Sequence, residues 1–270
     1  VQNIYNTGYF EDVNISLLAG ATPDRVIIEI DVAEQRTGTV TVGAGYSKSN
    51  GFVGILGLSE TNFRGTGDKV NLHWEFGGDG SDGKNYTLSY TRPWLDDKGT
   101  SGSISIFNRQ DEYSDYQSDG STYSKYDRKT TGGTLSFGRQ TGVFSRDYLS
   151  LDSRKDSWEE HVDGFDYSTD PKYLADNFGK TNSITYQRVF DSRDNVYDPS
   201  SGKRFMYSVQ YAGLGGDFNF EKVSAEMRTY KKVGHSHVLA FRLAGGIGFG
   251  DIPYSQLYTV GGSDSLRGYE

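Results

Sequence analysis

Alternation with a period of two, sustained over most of the chain, is the property that most limits what this sequence can fold into. Val70, Leu72, Trp74 and Phe76 interleave with Asn71, His73 and Glu75, and Tyr86, Leu88 and Tyr90 interleave with Thr87, Ser89 and Thr91. Period two is the mark of strands with one apolar and one polar face. From Thr39 onward eleven such segments are predicted: 39–47, 52–61, 68–77, 84–94, 101–111, 124–139, 146–158, 181–193, 203–213, 218–233 and 237–249. No helical pattern is available to cover the apolar face of so many strands, and the second face is polar or charged. A sheet closed in lipid satisfies both conditions, because a bilayer admits only helices and closed barrels. The predicted fold class is an all-β transmembrane barrel.

Hydropathy averaging does not contradict this. The mean hydropathy of −0.63 reflects polar residues that cancel apolar ones in any window across a strand. The 20 tyrosines, 15 phenylalanines and 35 glycines suit interfacial aromatic girdles and tight turns. A formal charge of −8 offers no basis for nucleic-acid binding. The absence of cysteine removes disulfides, thiolate metal sites and a thiol nucleophile.

Residues 1–36 differ from the remainder. A short helix stopped by Gly8 is expected there. A hairpin follows, with arms Val13 to Leu18 and Arg25 to Val32, and Val26, Ile28, Ile30 and Val32 share a face opposite Glu29 and Asp31. So little chain buries too little surface to stand alone, so it reads as the C-terminal part of a small α/β module. Residues 37–270 form the barrel domain. Tight connections at 63–67, 95–99, 141–145, 198–202 and 234–236 are expected on the side of the hairpin, with longer polar loops at 112–123 and 159–180 on the other. Eleven is an odd count, and bacterial single-chain barrels are even. The expectation is that strands continue past Glu270.

Four motifs carry a family resemblance. Gly261-Gly262-Ser263-Asp264-Ser265-Leu266-Arg267-Gly268-Tyr269 resembles the sixth-loop signature of the Omp85 superfamily, which includes outer-membrane insertases and secretion transporters. Gly8-Tyr9-Phe10-Glu11-Asp12-Val13 is similar to the last part of a POTRA domain. Asn62-Phe63-Arg64-Gly65-Thr66-Gly67 and Asp191-Ser192-Arg193-Asp194-Asn195, with Asp198-Pro199 and Gly202, fall at turns in matching order. The resemblance implies a barrel of 16 antiparallel strands, of which about 11 are here, behind the end of a POTRA domain at 1–36.

It also implies function. The expected activity is assembly and insertion of outer-membrane β-barrel proteins. The expected partners are unfolded outer-membrane protein clients, outer-membrane lipids and accessory assembly proteins, with no nucleic acid and no cofactor. The N-terminal part would lie in the periplasm. The first strand, Thr39, Val40, Thr41, Val42, Gly43, Ala44, Gly45 and Tyr46, would be the lateral gate, its glycines leaving the inner face thinly packed. Gly261, Gly262, Leu266, Arg267, Gly268 and Tyr269 would form a loop folded into the barrel, with Arg267 against carboxylates of later strands. A translocation pore of the same superfamily, a passive channel and a soluble β-rich adhesin remain open as alternatives.

Catalytic chemistry is not expected. His73, His161, His235 and His237 show no ligand spacing beyond His235-x-His237. Asp191, Asp194, Asn195 and Asp198 lack the spacing of a calcium loop and better suit capping a turn. Asp79-Gly80-Ser81-Asp82-Gly83 reads as a loop. On the tenth barrel strand, Lys222, Glu226 and Arg228 face inward, opposed by Val223, Ala225 and Met227, and ion pairing across the wall is the favoured role.

Overall fold

The computed structural model describes residues 8–22, 25–47, 51–77, 85–234 and 237–259. Strands β1 (Phe10–Ala19) and β2 (Val26–Glu34) form an antiparallel hairpin. The next eleven strands are β3 (Gly38–Ser47), β4 (Gly51–Phe63), β5 (Asp68–Gly77), β6 (Asn85–Arg92), β7 (Thr100–Tyr116), β8 (Thr122–Gln140), β9 (Ser145–Gly164), β10 (Gly179–Asp191), β11 (Gly202–Ala212), β12 (Phe220–Val233) and β13 (His237–Gly250). They pair in chain order as one up-and-down antiparallel sheet, with β3 and β13 at its edges. All eleven barrel strands expected from the alternation are present. The expected helix before Gly8 and the loop at 79–83 lie outside the described residues.

Register places the apolar residues of neighbouring strands side by side. Val42, Leu56, Trp74 and Tyr86 form one cross-strand row, and Leu88, Ile106 and Gly133 another. This outer face has no protein cover: Val42 is 77 %, Leu243 61 % and Phe241 53 % exposed. Among the described residues, a small apolar cluster of Ala212, Phe218 and Phe220, with Ile252 against it, forms a core within the protein. Since a fully buried side chain of this size contributes roughly 1.5–3 kcal/mol, a sheet that leaves its whole apolar face open needs lipid against that face.

The rim opposite the hairpin carries the longer segments, as expected, but they are built as strand and helix rather than as loops. Residues 112–123 are not a long loop. β7, β8 and β9 run for 17, 19 and 20 residues and project beyond the 8- and 10-residue strands β6 and β5, leaving only a tight turn at 117–121. Aromatic stacking and charge, not aliphatic alternation, hold this extension. Tyr126 stacks on Tyr113 at 6.1 Å and on Trp158 at 4.7 Å, and Lys125 pairs with Glu112 at 2.8 Å. Residues 159–180 likewise continue β9 and then form a 3-10 turn (Tyr167–Thr169) and helix α1 (Pro171–Asn177). The Asp170 carboxylate caps α1 by accepting from the Lys172 and Tyr173 amides at 3.0 Å, with Pro171 in its first turn.

On the hairpin side the turns are locked by side chains. Between β4 and β5, Arg64 (φ 56°), Gly65 and Gly67 adopt left-handed conformations, and the Asn62 side chain accepts from the Gly67 amide at 2.8 Å. Between β10 and β11, Asp194 accepts from the amides of Asn195, Ser200 and Ser201, each at 3.0 Å, and from the Ser200 hydroxyl. Its oxygens are committed to the turn.

Candidate functional site: a thinly packed edge and a strap on the inner face

Thr39 to Tyr46 lie together on β3, which pairs only with β4, from Gly38 opposite Glu60 to Ser47 opposite Gly51. The other backbone edge of β3 carries N–H and C=O groups with no neighbouring strand among the described residues. Val40, Val42 and Tyr46 face outward and are 68 %, 77 % and 79 % exposed. Thr39, Thr41, Gly43 and Gly45 face inward.

Packing along the inward side of β3 is uneven. At its base the Thr37 hydroxyl donates to Glu60 at 2.5 Å, the same oxygen accepts from the Asn62 amide at 2.8 Å, and Thr61 donates to the Thr37 carbonyl. Higher up, a Cβ on Gly43 would touch only Ile55, at 3.8 Å, and one on Gly45 would meet nothing within 4 Å. The strand is pinned below and loose above. The base also meets the hairpin: the Tyr9 hydroxyl donates to the Gly67 carbonyl at 3.4 Å, and the Gln35 side chain donates to the Gly8 carbonyl at 2.7 Å.

At the other edge the chain leaves β13 and folds across the inner face as a strap, residues 251–259. Asp251 donates its amide to the Asn219 carbonyl at 2.9 Å, Ile252 packs on the Phe218–Phe220 cluster, and Pro253 is fully buried. The Tyr254 amide donates to the Asn177 side chain at 2.9 Å, and the Gln256 side chain donates to the Thr181 hydroxyl at 3.1 Å. Lys222 donates to the Gln256 carbonyl and lies 4.3 Å from the centre of the Tyr258 ring. The motif Gly261 to Tyr269 follows this strap and lies outside the described residues.

Below the strap, a charge cluster lines the inner face. Glu226, with a side chain 9 % exposed, accepts from Arg204 at 3.0 Å, Arg228 at 2.8 Å and Arg242 at 2.9 Å. Asp191 adds a second carboxylate, 2.6 Å from Arg193 and 4.0 Å from Arg204. The inward placement of Lys222, Glu226 and Arg228 agrees with the alternation, and the ion pairs cross three strands. Towards the far rim, Arg128 is buried against Asp156 at 3.3 Å, with the Phe178 and Tyr113 rings 5.1 and 5.7 Å from its guanidinium. It also donates to the Asn177 carbonyl at 3.4 Å, so Asn177 ties α1 to both Arg128 and the strap. Tyr167 and Tyr173 stack at 3.7 Å over this region, and burial pushes the Tyr173 phenol up to about 12.

No histidine site forms among the described residues. His73 pairs with Glu75 at 2.9 Å, His161 is far along β9, and His235 lies outside the described residues. No grouping among the described residues has the arrangement of a metal site. Asn177, Thr181, Gln256 and Tyr258 were not singled out from sequence. Their signal is the run Gly246-x-Gly248-x-Gly250 on β13: Tyr258 and Ile252 fill the space that side chains at Gly246 and Gly248 would occupy.

Comparison with known proteins agrees with this architecture. Residues 62–270 match the Omp85 superfamily domain. The chain is 28 % identical to the outer membrane protein assembly factor BamA of Nitratidesulfovibrio vulgaris, over 99 % of this chain and 33 % of that protein. It is 24 % identical to the protein of the same name from Neisseria meningitidis, over 97 % of this chain and 34 % of that one. The chain thus spans about a third of the length of these relatives. The crystal structure of BamA from Haemophilus ducreyi lacking POTRA domains 1-3 superposes with a TM-score of 0.74 at 25 % identity, covering 99 % of this chain and 52 % of that one.

Proposed function

The chain belongs to the Omp85 superfamily, and from that premise we propose that it is part of a BamA-like outer-membrane assembly factor that inserts client β-barrels through a lateral gate at β3. The observation that carries this reading is the uneven packing of β3, held at its base by Glu60 and unsupported at Gly43 and Gly45. A strand hinged this way parts from a neighbour at its upper end at little cost. Its freed N–H and C=O groups then template an incoming strand, whose own polar backbone would otherwise enter lipid unpaired.

In this reading the sheet closes with further strands into a 16-stranded barrel in the outer membrane. Residues 1–36 are the end of a periplasmic POTRA domain, the turns beside the hairpin are periplasmic, and the extended β7–β9 tip is external. The strap delivers Gly261, Gly262, Leu266, Arg267, Gly268 and Tyr269 into the interior, where Arg267 pairs with carboxylates of the closing strands. No cofactor or bond-making chemistry is needed. The work is done by edge templating and by the client's own folding free energy. A strap lying across the inner face argues against a passive channel, and the relatives' names do not favour a secretion pore.

Reconstitution tests the proposal. The full-length protein in phospholipid vesicles should speed the folding of a urea-unfolded client barrel, read as the heat-modifiable gel mobility of the client. A rate equal to that of protein-free vesicles counts against it. Arg267→Ala should slow the same assay while the barrel itself remains heat-modifiable.

A further inference from the structure

The outer faces of β11, β12 and β13 carry a feature that the gate does not use. Ala225 and Gly245 stand opposite each other in register and form the floor of a groove of about 570 Å³. Val223 and Ile247 wall it on one side, and Met227 and Leu243 on the other. A Cβ on Gly245 would meet nothing within 4 Å, so the groove is open to the membrane. On the same face towards the hairpin-side rim stand Lys203 and Lys231, both exposed. Lys203 opposes Thr229, and Lys231 lies two residues further along that strand, opposite Leu239.

These two lysines differ from other outward cations near that rim. Arg92 lies 3.9 Å from Asp68, and Arg188 lies 3.4 Å from Asp147. Neither Lys203 nor Lys231 has a carboxylate partner among the described residues, and their register neighbours are uncharged. Six residues separate Ala225 from Lys231, roughly 20 Å along the strand and about 15 Å in depth at barrel tilt. That is the spacing between a lipid phosphate and the middle of its acyl chain.

We propose that this surface binds an anionic phospholipid of the periplasmic leaflet, with its phosphate on Lys203 and Lys231 and one acyl chain in the Ala225–Gly245 groove. The site rests on the outer-membrane reading above but not on the gate. Cations alone would hold any anion, and a groove alone would hold any chain; the pair selects a lipid that carries both.

The test is native mass spectrometry of the full-length protein in detergent, titrated with dipalmitoyl phosphatidylglycerol or dipalmitoyl phosphatidylcholine. The wild type should retain the anionic lipid at least about tenfold better, as two lysines at an interface allow. K203Q/K231Q should remove the preference. G245V should weaken the dipalmitoyl lipid but not dihexanoyl phosphatidylglycerol. Preference surviving in K203Q/K231Q, indifference to G245V, or full displacement by inorganic phosphate overturns the proposal. Gel mobility separates the two levels of failure. A wild type that is not heat-modifiable overturns the membrane reading itself, whereas heat-modifiable protein without lipid preference overturns the site alone.

Discussion

The ring of Tyr258 lies directly over Gly246, so close that a Cβ on that glycine would sit 2.6 Å from it. The strap therefore depends on the absence of a side chain at Gly246, and the neighbouring Gly248 makes room for Ile252 in the same way. Gly246→Val should push Tyr258 off the wall, at about 1–3 kcal/mol for overpacking. The expected result is protease cleavage within 251–259 and slow client insertion by a barrel that is still heat-modifiable. Limited proteolysis of the full-length protein in vesicles reads the first, and the folding assay the second.

Gly43→Val with Gly45→Val adds β-branched side chains to a strand that has room for them. Each removes the entropic penalty of a glycine, about 0.5–1 kcal/mol, and stiffens the upper half of β3. The variant should unfold at higher temperature than the wild type and insert clients more slowly. Thermal unfolding and insertion kinetics on one preparation show whether the two move in opposite directions.

Glu226→Gln leaves Arg204, Arg228 and Arg242 converging on a neutral group. Removing the anion from a buried pair is costly, but these arginine side chains are 22 %, 36 % and 45 % exposed, and solvent screens part of the repulsion. A loss of about 1–3 kcal/mol is expected, seen as a lower temperature for loss of heat-modifiable mobility. Glu226→Asp should recover part of it.

The β10–β11 turn should resist mild acid. The hydroxyl of Ser200 and the amides of Ser201, Ser200 and Asn195 hold the Asp194 carboxyl well below the usual carboxylate range. A depressed folded value means that the stabilisation is complete above the unfolded value of about 3.9 and is lost only as pH falls through the lower folded value. Exchange of the Ser200 and Ser201 amides should stay protected, after correction for intrinsic rates, from pH 7 to pH 4. Asp194→Ala, which removes the oxygen that accepts from these amides, should lose this protection at every pH.

Strand existence was legible in the sequence because lipid on one side and a wet interior on the other impose period two on every wall residue, as in Val70 to Phe76. Where that pressure stops, so does the signal. The tips of β7–β9 stand clear of the apolar band, and Tyr113, Tyr126 and Trp158 hold them by stacking, which local polarity disguises as loop. At the site, β3 was legible through Gly43 and Gly45. The strap was not, because its contacts join residues far apart in sequence: Asn177 with Tyr254, Thr181 with Gln256 and Lys222 with Tyr258. Only the alternate glycines of β13 hinted that something covers them.

Insertion by this route turns on the pairing of β3 with the client. Its most direct test places a photoreactive amino acid at each position from Thr39 to Tyr46 in the full-length protein and illuminates membranes during assembly of a client barrel. Adducts should form to one terminal strand of the client, with the client position stepping antiparallel or parallel to β3 in constant register. Adducts only to lipid or to the protein's own strands, while the client still assembles, would contradict it.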